Sequence, residues 1–289
     1  MLESVLEKIA GHLGVSKPAS LLPEDVVFSA EAGDDGIRIQ VEIEAEMLGE
    51  DFANDGPSAP TRAMCMAAWL TQLGEPARAE ITVLNATYSI TPEQRRSAFI
   101  LAEYAELLPH LVTVSGGQEW KWPSDPVFNV ESRRSAKAKT RGQEGRLGTA
   151  LAADRDLRAT LAELDGEVEP LRGGLPVGLF DEAVMPGNRW MPAGSSAVDL
   201  WTRTLDRKTV HLFELKAGRK TPFGILAEAF YYSRMLSYVR DRRSIEFAPN
   251  ADGMNAIRSC ESIRMWLTAP KLDPLIWHPK LGSAPLDAL

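Results

Sequence analysis

Cysteine is almost absent. The 289 residues hold only Cys65 and Cys260, far apart and matching no metal-ligand spacing. This excludes a disulfide framework and a zinc ribbon, and it fits a reducing compartment. No apolar run approaches the roughly 18 residues of a membrane span, so no membrane association is expected. The opening Met1-Leu2-Glu3-Ser4-Val5-Leu6-Glu7-Lys8 is acidic and amphipathic, unlike a signal peptide. Low-complexity tracts are missing, and with 44% apolar and 25% charged residues the disordered and fibrous classes drop out. Histidine is scarce. His12, His110 and His278 are scattered and form no ligand set, and no histidine pattern supports Ser195 or Ser196 as a nucleophile. No phosphate-cradling loop is present. A soluble, cytoplasmic protein of one large or two ordinary domains is expected.

What the chain does have is an uneven charge. Residues 1–130 carry 8 Lys and Arg against 20 Asp and Glu, a balance of −12, while residues 131–289 stand at +4. An acidic accessory module over 1–130, joined to a mildly basic domain over 131–289, is the expected organisation. In the acidic part Leu2, Leu6, Ile9 and Leu13 follow helical spacing, so residues 2–14 predict a helix ending near Gly14. Residues 37–45 alternate apolar and polar, the pattern of a strand with one solvated face. Short apolar runs at 80–85 and 111–115 suggest further strands. Thr91, Pro92 and Gln94 read as N-cap, first helical position and capping-box partner of a helix running to about Leu108. Met64, Cys65 and Met66 read as helix core. This part is an α+β module with no catalytic pattern, and its acidity points to a protein partner or self-association rather than DNA.

Between the parts stands Trp120-Lys121-Trp122, and then a basic stretch with Arg133, Arg134, Lys137, Lys139, Arg141 and Arg146. Beside a phosphate-handling site such a stretch would neutralise nucleic-acid phosphates. The tryptophans read as packing residues rather than as base-stacking platforms. A helix is predicted from 141, with Glu144, Leu147 and Leu151 on one face, followed by a Gly- and Pro-rich stretch from Gly166 to Gly194. Arg172-Gly173-Gly174 within it reads as a turn.

Residues 197–203 and 209–217 are strand-like runs flanking Thr204–Lys208. A turn centred between Asp206 and Arg207 pairs positions whose numbers sum to 413, which sets Asp199 opposite Glu214. Cross-strand partners share a face, and Lys216 points the same way two residues on. Val210–Leu215 is apolar on both faces apart from the charges and His211, so a strand covered on both sides is expected. Half-buried carboxylates side by side repel unless a positive charge lies between them. Lys216 neutralises one of them. A divalent cation would neutralise both, and oxygen ligands suit Mg²⁺ or Mn²⁺. A helix over about 223–239 packs through Ile225, Ala229, Tyr232, Leu236 and Val239, with Glu228 at the border of that stripe. His211 points to the opposite face from Glu214 and reads as a core histidine.

Taken together, the helix with Glu144, the run Ala197-Val198-Asp199-Leu200, the run Phe213-Glu214-Leu215-Lys216 and the helix with Glu228 and Tyr232 resemble the core of the PD-(D/E)XK nuclease superfamily. The resemblance covers residues 141–240. It implies a restriction-endonuclease-like α/β fold, a central mixed sheet flanked by helices. It further implies metal binding by Asp199, Glu214 and Glu144, with Lys216 positioning the attacking water and Glu228 and Tyr232 in support. Val198 stands where the family's name has proline, and Glu228 where many members carry glutamine. The implied activity is Mg²⁺- or Mn²⁺-dependent phosphodiester hydrolysis in DNA, an endonuclease-type hydrolase. Arg133, Arg134, Lys137, Lys139, Arg141, Arg146, Arg219 and Lys220 would hold the phosphate backbone. The competing expectation is a catalytically inactive module on the same fold that binds nucleic acid or a protein.

Overall fold

The structure is a computed structural model that describes residues 1–23, 25–50, 55–85, 91–117, 119–128, 143–192, 196–217, 223–242, 244–247 and 251–288. It is mixed α/β and divides into two compact units. The first comprises Met1–Trp120, Lys220–Ala227 and Lys271–Leu289; the second comprises Lys121–Arg219 and Glu228–Pro270. Composition alone suggests a single boundary near residue 130. The units by packing divide between Trp120 and Lys121, and the last stretch of chain returns to the first unit.

In the first unit, helix α1 (Leu2–Leu13) buries Val5, Leu6, Ile9, Ala10 and Leu13. It ends at Gly14, whose φ of 63° and N–H bonds to Ala10 and Gly11 close the last turn. Strands β1 (Val27–Gly33), β2 (Gly36–Glu44), β3 (Ala77–Leu84) and β4 (Val112–Gly116) form one sheet in that order. β1 runs antiparallel to β2, while β2, β3 and β4 run parallel. Parallel neighbours need crossovers, and helices α2 (Asp55–Gln72) and α3 (Pro92–Leu107) supply them. Ile39, Val41 and Ile43 of β2 are buried, and each contributes about 1.5–3 kcal/mol by leaving water. The alternate positions Gln40, Glu42 and Glu44 stay half-buried or exposed. The capping box at the start of α3 is present in full. Thr91 Oγ1 accepts from Gln94 N–H, and Gln94 Oε1 accepts from Thr91 N–H. α2 is buried on every side through Met64, Cys65, Met66 and Trp69, and the Trp69 indole N–H donates to Leu275 O in the returning C-terminal stretch.

The second unit begins with the short strand β5 (Pro126–Phe128), then helices α4 (Gln143–Ala153) and α5 (Arg155–Asp165). The helix expected from 141 therefore breaks in two at Asp154, whose carboxylate caps the N–H groups of Asp156 and Leu157. Strand β6 (Arg172–Pro176) occupies the stretch read as a turn at Arg172-Gly173-Gly174. Pairing with a distant strand overrides the local glycine signal, with Gly174 absorbing the distortion at φ 59°. β7 (Leu179–Asp181) pairs antiparallel with β5. Next come β8 (Ala197–Arg203), β9 (Thr209–Leu215), α6 (Ile225–Asp241, in this unit from Glu228 on), α7 (Asp252–Ser259) and β10 (Ser262–Thr268). The main sheet has the order β10-β9-β8-β6, with β10 parallel to β9 and the other pairs antiparallel. α4 and α5 cover one face, where Leu147, Leu151, Leu157 and Leu161 pack on Leu200, Phe213, Leu215 and Trp266. The chain ends with α8 (Ala284–Ala288), in the first unit. Among the described residues no helix is long and apolar enough to cross a membrane.

Candidate functional site

The hairpin β8–β9 aligns the candidate residues. Its observed pairs, Leu200 with Phe213, Trp201 with Leu212 and Arg203 with Val210, all follow the register in which Asp199 stands opposite Glu214. The turn holds this register from within. Thr204 Oγ1 donates to the Asp206 carboxylate, which also accepts from Lys208 N–H. Every residue of β9 is buried, as its two-sided apolar pattern requires. Leu200, Phe213 and Leu215 face α4 and α5, so Asp199 and Glu214 point to the opposite face.

Glu214 is 2% exposed, and its Oε1 lies 2.6 Å from Lys216 Nζ. The same ammonium lies 2.9 Å from Glu228 Oε2. The Tyr232 hydroxyl donates to Glu228 Oε1 at 3.1 Å, one turn along α6. Asp199 Oδ2 accepts from Leu215 N–H at 3.0 Å, which ties the carboxylate to the neighbouring strand. Lys216 lies just beyond β9 but stays anchored, its backbone N–H donating to Thr268 O of β10. The result is a chain of side chains, Tyr232 to Glu228 to Lys216 to Glu214, with Asp199 alongside. Sequence spacing alone leaves the part played by Glu228 open; in the structure it is the second partner of Lys216.

Two carboxylates hold one ammonium here, with the Asp199 charge acting on Glu214, and the protonation equilibria reflect that. Burial, then the Glu228 and Asp199 charges, push the Glu214 carboxyl well above the usual range, against the opposing pull of Lys216. Burial works against the Lys216 charge, but Glu228 and Glu214 more than offset it and hold the amine above the ordinary lysine range. Burial raises the Tyr232 phenol, and the nearby Glu228 and Glu214 charges add to the effect.

Glu214 Oε2 is buried and has no hydrogen-bond partner among the described residues. An orphaned carboxylate oxygen is costly in a dry strand environment, and beside Asp199 it is an oxygen donor of the kind that Mg²⁺ and Mn²⁺ prefer. Those two residues fit a hard divalent cation. Among the described residues no three His, Cys, Asp or Glu side chains gather closely enough to hold a metal ion. Glu144 is not brought into the cluster: it is exposed in the first turn of α4, a helix that packs on the sheet face turned away from Asp199 and Glu214.

A further neighbour comes from β6. Gly173 pairs with Leu200 and Leu175 with Val198, so Gly174, between them, falls opposite Asp199 on the side away from Glu214. It contributes no side chain at that point. The sequence signal was the glycine pair itself, which reads locally as a turn.

Of the expected phosphate-binding residues, Arg146 is exposed on α4. Arg133, Arg134, Lys137, Lys139, Arg141, Arg219 and Lys220 lie outside the described residues. Trp120 packs edge-on against Phe99 in the first unit, and Trp122 against Tyr238 in the second. His211 is fully buried on the far face of β9. Its Nδ1 accepts from the Trp266 indole N–H at 3.2 Å, and its Nε2 lies 3.7 Å from Asp165.

No family model, curated protein or solved structure matches this chain.

Proposed function

We propose that the second unit is a restriction-endonuclease-like domain and that the chain is a metal-dependent nuclease hydrolysing phosphodiester bonds, with DNA as substrate. The observation that carries this reading is the conjunction at Glu214, a buried carboxylate with one oxygen held by Lys216, the other orphaned, and Asp199 in register beside it. The mixed sheet covered by helices supports it as well.

In this reading Asp199 and Glu214 hold the divalent cation. When bound, the metal polarises the scissile phosphate and lowers the pKa of a water molecule. Lys216 acts through its charge. An amine held above the ordinary lysine range does not shuttle protons at neutral pH, so its part is to donate hydrogen bonds and to offset negative charge on phosphorus. Glu228, held by the Tyr232 hydroxyl, is a positioning residue that aims the ammonium. The basic residues outside the described set would supply phosphate contacts that carry no sequence information, while Arg146 lies on the helix that packs on the far sheet face.

A second reading has an observation of its own. Lys216 already bridges two carboxylates and no three-ligand group is assembled. Counted over the described residues alone, this suits a module that binds nucleic acid or a protein without cutting. One experiment separates the two: calorimetric titration with Mn²⁺ alongside nicking assays on plasmid, single-stranded and branched DNA. The nuclease reading expects metal binding, cleavage abolished by EDTA, and no cleavage by Asp199→Ala or Glu214→Ala. Full cleavage by both variants, or in excess EDTA, overturns it.

A further inference from the structure

The first unit contains a cavity of about 540 Å³ at the carboxyl ends of its three parallel strands. Ala45 just beyond β2, Val83 near the end of β3 and Gly116 at the end of β4 line its floor. α3 roofs it with Ala98, Ala102 and Ala105, where longer side chains would reach down to the sheet. Gly116 and Gly117 sit at φ 68° and 72°, and a Cβ on Gly116 would lie 2.3 Å from Val83 O. Only glycine fits there. Small residues from two elements thus keep the hollow open, at the place where open parallel sheets take ligands.

The lining decides what enters. Leu48, Leu101, Val114 and Trp120 make the wall apolar. The Gln94 amide is already committed, donating to Ala45 O and accepting from Thr91 N–H. Among the described lining residues none is Lys or Arg, whereas Glu106 and Glu119 both belong to the lining and are exposed to solvent. Among the described lining residues no cation is placed to hold a phosphate or a carboxylate.

We infer that this cavity binds a small hydrophobic amine in its cationic form, whose ring system lies on the apolar wall and whose ammonium meets the acidic rim at Glu106, beside Glu119. An apolar hole of roughly 150 Å³ takes a benzene, so a cavity of about 540 Å³ has room for a two- or three-ring amine. The inference uses none of the residues of the proposed nuclease site and stands or falls separately from it.

The test titrates the full chain with tryptamine and, in parallel, with indole-3-propionate, which carries the same ring with the opposite charge. Tryptamine is expected to bind with a Kd of about 1 mM or tighter, the size of affinity a dozen-atom ligand supports. The carboxylate is expected to bind at least about fivefold more weakly, and the gap should narrow in high salt. Ala102→Phe fills the hollow, so it should abolish tryptamine binding while holding or raising Tm, a pairing that a folding defect does not produce. Replacing both rim acids, Glu106→Gln with Glu119→Gln, should bring the two ligands within about twofold of each other. Three results overturn the inference: no binding by tryptamine below about 10 mM, equal binding of the two ligands by the wild type, or undiminished binding by a folded Ala102→Phe protein. If Ala102→Phe fails to fold, the glutamine pair decides, and an unchanged preference for tryptamine in that pair overturns the inference.

Discussion

Lys216 is the cation between the carboxylates of the site, with Glu214 at 2.6 Å and Glu228 at 2.9 Å. If its part is to stabilise a transition state, Lys216→Ala keeps Mn²⁺ binding within a few-fold yet lowers the cleavage rate by about 10²-fold or more. Lys216→Arg rescues only in part, because a planar fork does not replace a compact ammonium between two carboxylates. A wild-type rate in Lys216→Ala would reduce the lysine to an ion-pair partner. Two buried groups on opposite faces of β9 also predict opposing pH effects. The Glu214 carboxyl is raised by burial and its acidic neighbours, so the folded state holds that proton more tightly than the unfolded state does. Metal-free stability therefore falls as pH rises from about 4.5 toward the raised value. Burial lowers the His211 imidazole, opposed by Asp165 and reinforced by Arg264, so the unfolded state takes up that proton first. Stability is full above about 6.5 and falls as pH drops through it, by at most about 1.4 kcal/mol per pH unit. Thermal melts from pH 5 to 8 in EDTA are expected to show Glu214→Gln losing stability toward acid more steeply than wild type, and His211→Gln gaining it. Parallel profiles for all three proteins would contradict both assignments. The two faces were legible in the sequence because strand side chains alternate. The Trp266 and Asp165 partners of His211 were not, since 55 and 46 residues separate them from it.

At the scale of elements, what could be read was what is encoded within a dozen residues. The capping box at Thr91 and Gln94, the αL stop at Gly14 and the β8–β9 register are each set by neighbours in the chain, and each is present. β6 was not legible, because its strand state depends on pairing with β8 about 25 residues away across a glycine- and proline-rich stretch. β10 likewise becomes a strand by parallel addition to β9. The edge strand β6 matters to the site through Gly174, which lies opposite Asp199 at φ 59°. Any L side chain there meets the left-handed conformation at a cost of about 1–2 kcal/mol, and its Cβ adds bulk next to the Asp199 position. Gly174→Ala is expected to lower Tm by several degrees and to weaken Mn²⁺ binding. Gly173→Ala, one residue earlier and not at positive φ, should do neither. Equal behaviour of the two variants in parallel melts and metal titrations would show that position 174 has no special relation to Asp199.

The molecule as a whole combines a chain that crosses between units with a charge that does not spread evenly. Lys271–Leu289 belongs to the first unit, where Leu275 and Ile276 are buried and Leu275 O receives the Trp69 indole N–H. Cutting the chain near residue 130 would strip that core of its C-terminal stretch, so the influence of the acidic part on DNA binding has to be measured in the intact protein. The exposed face of the first sheet offers the handle. Glu31, Glu42 and Glu44 are solvent-facing positions on β1 and β2 whose loss opens no cavity. Changing all three to glutamine moves the −12 balance of residues 1–130 to −9 without touching the proposed site. If that half repels phosphate rather than contacting it, the triple variant binds labelled DNA several-fold more tightly at about 0.01 M salt, where fields reach about 30 Å, and equally at 0.15 M, where they reach about 8 Å. Anisotropy titrations in EDTA report binding with cleavage silenced, so the outcome does not depend on the nuclease chemistry. Weaker binding by the variant at low salt would mean that this sheet face takes part in recognising the substrate. Equal binding at both salts would mean that the acidity of the first unit serves something other than the nucleic acid.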